Sequence, residues 1–157
     1  MAAETADVPF HIGIASPNVS ALKDVLGPLL GLTWVSLSRP AVVHHTPTGP
    51  MSPSSQVIWS QQGSPHIELV KSEPGSVYDP ARGTHVHHFG YWTSDLSASL
   101  VDYQSRGWQI EATLLDEEGR PAAFAYLSRP GEVWVELVEE SNRVRLEAEL
   151  WPAHAPA

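Results

Sequence analysis

The chain repeats itself, and the repeat restricts the possible folds more than any other feature. HIGIASPNVSA at 11–21 aligns without a gap on HFGYWTSDLSA at 88–98. His, Gly, Ser and Ala recur in place, and Asn18 answers Asp95. Downstream, IELV at 67–70 is echoed by VELV at 135–138. Each half therefore opens on a His-containing apolar segment and closes on a Glu-containing one. One short echo is weak, but two in the same order point to a duplicated supersecondary unit. A chain of 157 residues has room for two such units within one domain of ordinary size, roughly 100–200 residues.

Local signals in the two halves agree. Residues 10–15 and 87–92 are rich in aromatic and β-branched side chains and read as strands. Asn18 and Asp95 sit where a helix N-cap belongs. Leu96, Leu100 and Tyr103 then share one helical face, as do Leu22, Val25, Leu26 and Leu29. Gly27-Pro28 is expected to kink or shorten the first helix. The second half continues as strands over 108–115, 122–127 and 133–139. The first half carries a strand within 32–45, a Pro/Ser/Gly loop over 46–55, and strands near 56–60 and 66–71. The expected fold is α+β: two tandem βαβββ modules forming a cupped mixed sheet, with helices on the outer face. One domain would span 1–157, with module one at about 8–72, a linker at 73–84, module two at about 85–140 and a tail over 141–157, helical near 142–151.

Strand side chains alternate faces. Phe10, Ile12 and Ile14 should face the helices, as should Phe89 and Tyr91, leaving His11, Gly13, His88, Gly90 and Trp92 opposite. The same parity sets His66 and Glu68 against Ile67 and Leu69, and Trp134 and Glu136 against Val135 and Leu137. His85 has the other parity from His88 and should point away. Two His and two Glu thus share the concave face. A lone strand Glu is usually solvated, and a lone strand His is usually a structural hydrogen-bonding group. Two carboxylates at equivalent repeat positions between apolar neighbours are costly unless something answers their charge. A divalent cation held by His11, Glu68, His88 and Glu136 would do so, and mixed N/O ligation suits Zn, Ni, Co, Mn or Fe(II) alike. Trp92 and Trp134 should line the cup with Trp59 and Tyr126, favouring an apolar or aromatic small molecule.

Composition excludes several alternatives. Acids outnumber bases 18 to 9, for a net charge of −9, which disfavours nucleic-acid binding. Cysteine is absent, so there is no thiolate nucleophile and no Cys-based zinc site, and a reducing cytoplasm suits the chain. No apolar run approaches the roughly 18 residues of a membrane span, and the N-terminus does not resemble a signal peptide.

FHIGI at 10–14, HIELV at 66–70, HHFGYW at 87–92 followed by SDL at 94–96, and VWVELVE at 133–139 together resemble the vicinal oxygen chelate superfamily. Its members include glyoxalases, methylmalonyl-CoA epimerases, extradiol dioxygenases and bleomycin-resistance proteins. The resemblance covers about residues 8–140 and is greatest to the glyoxalase and epimerase branch. It implies metal ligands His11, Glu68, His88 and Glu136, with His88 rather than His87 because it directly precedes the apolar-Gly step. It implies a lyase or isomerase that polarises a carbonyl, with Glu136 or Glu68 as base, and it implies a homodimer. An extradiol-type dioxygenase and a metal-free binding or resistance protein are the alternatives within the superfamily. The epimerases carry a further acidic base in the first module, yet this chain has no Asp or Glu between Asp24 and Glu68. His44 and His45 occupy that stretch and are candidate substrate contacts, with His66.

Overall fold

A computed structural model describes residues 8–37, 42–53 and 56–152. The parts of the expected first-half strand, loop and tail at 38–41, 54–55 and 153–157 lie outside the described residues. The first half forms β1 (His11–Ser16), α1 (Val19–Leu30), β2 (Trp34–Leu37), β3 (His44–Thr46), β4 (Gly49–Met51), β5 (Val57–Ser60) and β6 (His66–Lys71). The second forms β7 (His85–Thr93), α2 (Leu96–Ser105), β8 (Gln109–Leu115), β9 (Pro121–Ser128) and β10 (Trp134–Glu139), followed by α3 (Arg143–Leu150). The sheet order is β2-β5-β6-β1-β7-β10-β9-β8-β3-β4. This mixed sheet curls into a half-barrel of α+β class.

The order displays the duplication. β2-β5-β6-β1 of one half is mirrored by β8-β9-β10-β7 of the other, and the halves meet where β1 and β7 pair antiparallel. β1 runs parallel to β6, as β7 does to β10. The seam is thus closed within one chain. The first half departs from a simple βαβββ unit, because part of the expected 46–55 loop is a hairpin. β3 pairs with β4 and crosses to the far edge of the second half, where His45 faces Thr113 of β8.

The helices form for local reasons and cover the convex side. Asn18 and Asp95 each accept a hydrogen bond from the backbone N–H three residues on, at 3.0 and 2.9 Å, satisfying an orphan donor of the first turn. Contrary to expectation, Pro28 does not shorten α1. It lies in the last turn, and Gly31, at φ 66°, closes the helix by donating to the Gly27 carbonyl. Val19 packs with Ile58 and Leu69, while Leu96 and Leu100 pack with Ala125, Leu127, Val135 and Leu137. Phe10 is a correction: it precedes the first strand, stacks on Trp92 at 3.8 Å and lines the concave cavity instead of facing α1. The tail seals one end, with Leu150 and Trp151 buried against Trp59 and the Trp151 indole donating to the Ser60 carbonyl.

Candidate metal centre

Register places the four polar side chains. Across the seam, Gly13 pairs with Glu68 on one side and His88 on the other; Gly90 pairs with His11 on one side and Glu136 on the other. Glu68 and His88 therefore stand two strand spacings apart, about 9–10 Å between backbones, and must lean over Gly13 to meet. His11 and Glu136 lean over Gly90 in the same way. A Cβ built on Gly13 would enter the His88 ring, and one on Gly90 would enter the His11 ring. Neither glycine has a left-handed φ. Their small size, not their backbone freedom, is what the site uses, and this explains the His-x-Gly echo in the repeat.

The ligand-type atoms of His11, Glu68, His88 and Glu136 lie within 4.8 Å of one another. His11 Nε2 is 2.9 Å from His88 Nε2 and 2.9 Å from Glu136 Oε2. His88 Nε2 is 3.0 Å from Glu68 Oε2 and 3.4 Å from Glu136 Oε2, and His11 Nε2 is 3.6 Å from Glu68 Oε2. A tetrahedral ion with bonds of 2.0–2.1 Å has donors about 3.3 Å apart, within the observed spread. All four residues are buried, and among the described residues Glu68 Oε2 has only the close His88 and His11 nitrogens and no hydrogen bond of good geometry. An orphaned carboxylate oxygen facing two imidazole nitrogens fits a cation better than it fits a closed hydrogen-bond network. Burial raises the Glu136 carboxyl, but hydrogen bonds and charge from His11 and His88 outweigh it and hold the group below the ordinary carboxylate range. Burial lowers His88, but Glu136 and Glu68 raise it, by hydrogen bonds and charge, to about 9.

Above this cluster lies a cavity of about 240 Å³. Its walls include Phe10, Leu37, Val57, Trp59, Val70, Phe124 and Leu146, with His11, Glu68 and Glu136 at the polar end. His44 also lines it. The ring is buried, lies 5.4 Å from Phe124, and its Nδ1 has no partner among the described residues. Burial lowers its pKa, with Glu136 opposing. Arg145 is the one Lys or Arg among the described lining residues. The other proposed substrate contacts are not part of the lining. His45 alternates to the opposite side of β3, and His66 is stacked under Trp151 at 3.8 Å. Trp92 lies beneath Phe10 and 5.8 Å from the Arg143 guanidinium, and Trp134 packs on His87 at 4.8 Å.

Residues 10–126 match the model of the Glyoxalase/Bleomycin resistance protein/Dioxygenase superfamily. The chain belongs to that superfamily. No curated protein sequence matches it. Among solved structures it is similar to methylmalonyl-CoA epimerase from Mycobacterium tuberculosis (TM-score 0.57, 18% identity, covering 84% of this chain and 87% of that one). It is similar also to a variant of the Streptomyces coelicolor methylmalonyl-CoA epimerase in complex with 2-nitronate-propionyl-CoA (0.60, 18%, 87% and 95%). At that identity the likeness speaks to fold. None of the described helices is long and apolar enough to cross a membrane.

Strand parity misplaces two residues of this superfamily member. A bulge between Gly13 and Ile14 sets Gly13 opposite His88 and Ile14 opposite Val86, leaving His87 as the extra residue. Such an insertion re-aims side chains. His87 turns inward, is buried, and packs on Tyr78, Tyr126 and Trp134. His85, expected to point away, lies opposite Ala15 of the concave face, with its ring 5.9 Å from that of His87. Tyr78 is also missed, because 73–84 reads as linker. Its hydroxyl donates to that of Tyr126 at 2.6 Å, and both are buried in the cup. The doubled His at 87–88 was the available signal for the bulge. Tyr78, in a Pro/Gly-rich stretch, gave none.

Proposed function

We propose that the protein is a divalent-metal enzyme of the glyoxalase and epimerase kind, moving a proton at the carbon beside the carbonyl of a small apolar or aromatic substrate. The observation that carries this reading is the convergence of four buried donors at the floor of an apolar cavity. His11, Glu68, His88 and Glu136 would hold the ion. When bound, it would polarise a carbonyl and stabilise the developing enolate by several kcal/mol. Phe10, Trp59, Val57 and Phe124 exclude water and hold the apolar body of the substrate. Glu136 is the favoured base, with Glu68 equivalent to it by the repeat. His44, buried in the cavity wall with an Nδ1 that has no partner among the described residues, supplies the polar group that the missing first-module acid would otherwise provide.

The cavity is below the roughly 300–1,000 Å³ of clefts for drug-sized ligands, which supports a compact reacting group; a CoA tail, as in the neighbouring epimerases, would have to lie outside it. A homodimer and a cytoplasmic setting complete the reading, supported by the family and by the absence of cysteine; a monomeric mass in light scattering would remove the first. The test of function is solvent deuterium incorporation into α-branched acyl thioesters, hemithioacetals and aromatic ketones by metal-loaded protein. Exchange with one class, lost in Glu136→Gln at retained metal content, is expected. No exchange across the panel with metal fully loaded would overturn the proton-transfer assignment.

A further inference from the structure

We propose that His87 is a positioning residue that keeps a proton on His88 Nδ1, so that Nε2 is the nitrogen His88 offers to a metal, and that the Val77 carbonyl in turn fixes His87. The inference rests on the metal reading above. His87 Nε2 lies 2.8 Å from the Val77 carbonyl oxygen, and His87 Nδ1 lies 2.9 Å from His88 Nδ1. A carbonyl only accepts, so His87 must carry its proton on Nε2. Rings of Tyr78, Tyr126 and Trp134 enclose His87, an environment that disfavours a second proton. Its Nδ1 is then an acceptor, and the proton between the two rings belongs to His88 Nδ1. The remaining nitrogen of His88, Nε2, is the one 2.9 Å from His11 Nε2 and 3.0 Å from Glu68 Oε2. Two consecutive hydrogen bonds therefore decide which His88 nitrogen is offered to an ion, and the bulge at Gly13/Ile14 brings His87 into that chain.

The repeat supplies an internal comparison. His88 corresponds to His11, and His87 corresponds to Phe10. Phe10 meets the His11 ring edge-on at 4.4 Å and cannot hydrogen-bond to it, and His11 Nδ1 has no partner among the described residues. The two histidines are thus equivalent in register but not in support. Outer partners of this kind set ligand orientation, and their removal costs about 10–100-fold in metal affinity.

The experiment is long-range ¹H–¹⁵N NMR of the histidine rings in full-length protein, metal-free and loaded with Zn(II), beside zinc affinities of His87→Leu and His87→Gln. The expected result is Nε2–H with a bare Nδ1 for His87 in both states, Nδ1–H for His88 in both states, and zinc replacing on His88 Nε2 the proton that the neighbouring Glu68 and Glu136 favour in the metal-free protein. His87→Leu should lose about 10–100-fold in zinc affinity. His87→Gln, whose amide can accept and donate as the ring does, should recover most of it. A protonated Nδ1 on His87, or zinc on His88 Nδ1, would overturn the proposal; so would a His87→Leu affinity within twofold of wild type. The ring assignments need only wild-type protein, so a variant that fails to fold leaves the test intact. Absence of zinc binding by wild type would defeat the metal reading, while the metal-free tautomers would still report on the relay.

Discussion

Gly90→Ala separates packing from propensity by sign. Gly90 has an ordinary extended φ in mid-strand, where Ala is normally better than Gly by about 0.5–1 kcal/mol. Here the new Cβ would lie 2.6 Å from His11 Nε2 and closer still to Cε1 and Nδ1. Ordinary contact needs about 3.5–4.0 Å, so the ring would have to retreat by more than about 1 Å. It has little room, with Phe10 at 4.4 Å, Trp59 at 4.9 Å and His88 at 5.0 Å between ring centres. Overpacking of this kind costs about 1–3 kcal/mol or more, so the variant should be destabilised, lowering Tm by about 2–4 °C per kcal/mol. Metal–ligand distances tolerate only about 0.2 Å, so zinc affinity should fall by at least about the 10–100-fold seen for lost outer partners. Calorimetry and competition with a chromophoric chelator would measure both. Gly13→Ala should behave alike, through His88. Gly27→Ala, whose nearest contacts are the Trp34 side chain and the Leu32 carbonyl, away from the four candidate ligands, should leave zinc affinity unchanged. A Gly90→Ala protein with Tm and zinc affinity at or above wild type would refute the argument.

Zinc at 100 times its Kd should stabilise the wild type by about 2.7 kcal/mol; a His11→Ala/His88→Ala double variant should show no shift in a melting scan. Trp151→Ala removes a buried indole stacked on His66 and bonded to the Ser60 carbonyl, and should cost about 3–5 kcal/mol by denaturant unfolding. Burial lowers His44 from its ordinary 6.5, with Glu136 opposing; its ring should therefore titrate with a midpoint below 6.5 when its NMR shifts are followed with pH, and a midpoint at or above that value would count against its burial in the cavity. Ala123 has φ 67°, which penalises a Cβ by about 1–2 kcal/mol, so Ala123→Gly should raise Tm slightly.

The duplicated module, the caps Asn18 and Asp95, and the shared face of His11, Glu68, His88 and Glu136 were legible because each depends on local pattern: period two in strands, a polar residue before an apolar helical face. The hairpin of β3 and β4 was not legible, because its partner Thr113 lies in the other half and the Pro/Gly run around it reads equally as loop. His85 was misread, and the inward turn of His87 missed, for a related reason. Parity holds only while a strand is regular, and one extra residue at the bulge inverts it. Phe10, Tyr78 and Trp151 lie outside the strands, so the period-two reading that set Phe10 beside Ile12 does not reach it and no periodicity places the other two; tertiary packing turns Phe10 and Tyr78 into the cup and Trp151 against its end.

The closest approaches in the site run between the halves: His11 to Glu136 at 2.9 Å and His88 to Glu68 at 3.0 Å, against 3.6 Å for His11 to Glu68 within the first half. A metal held there would therefore act as a cross-link as well as a cofactor. Joining His11 to His88, which are 77 residues apart, closes a loop whose entropy in the unfolded chain would be worth about 4.5 kcal/mol if the link persisted there, by the relation used for disulfides. Chelation would then loosen the β1–β7 seam before either half, and partial proteolysis of metal-free protein should begin by separating the two modules.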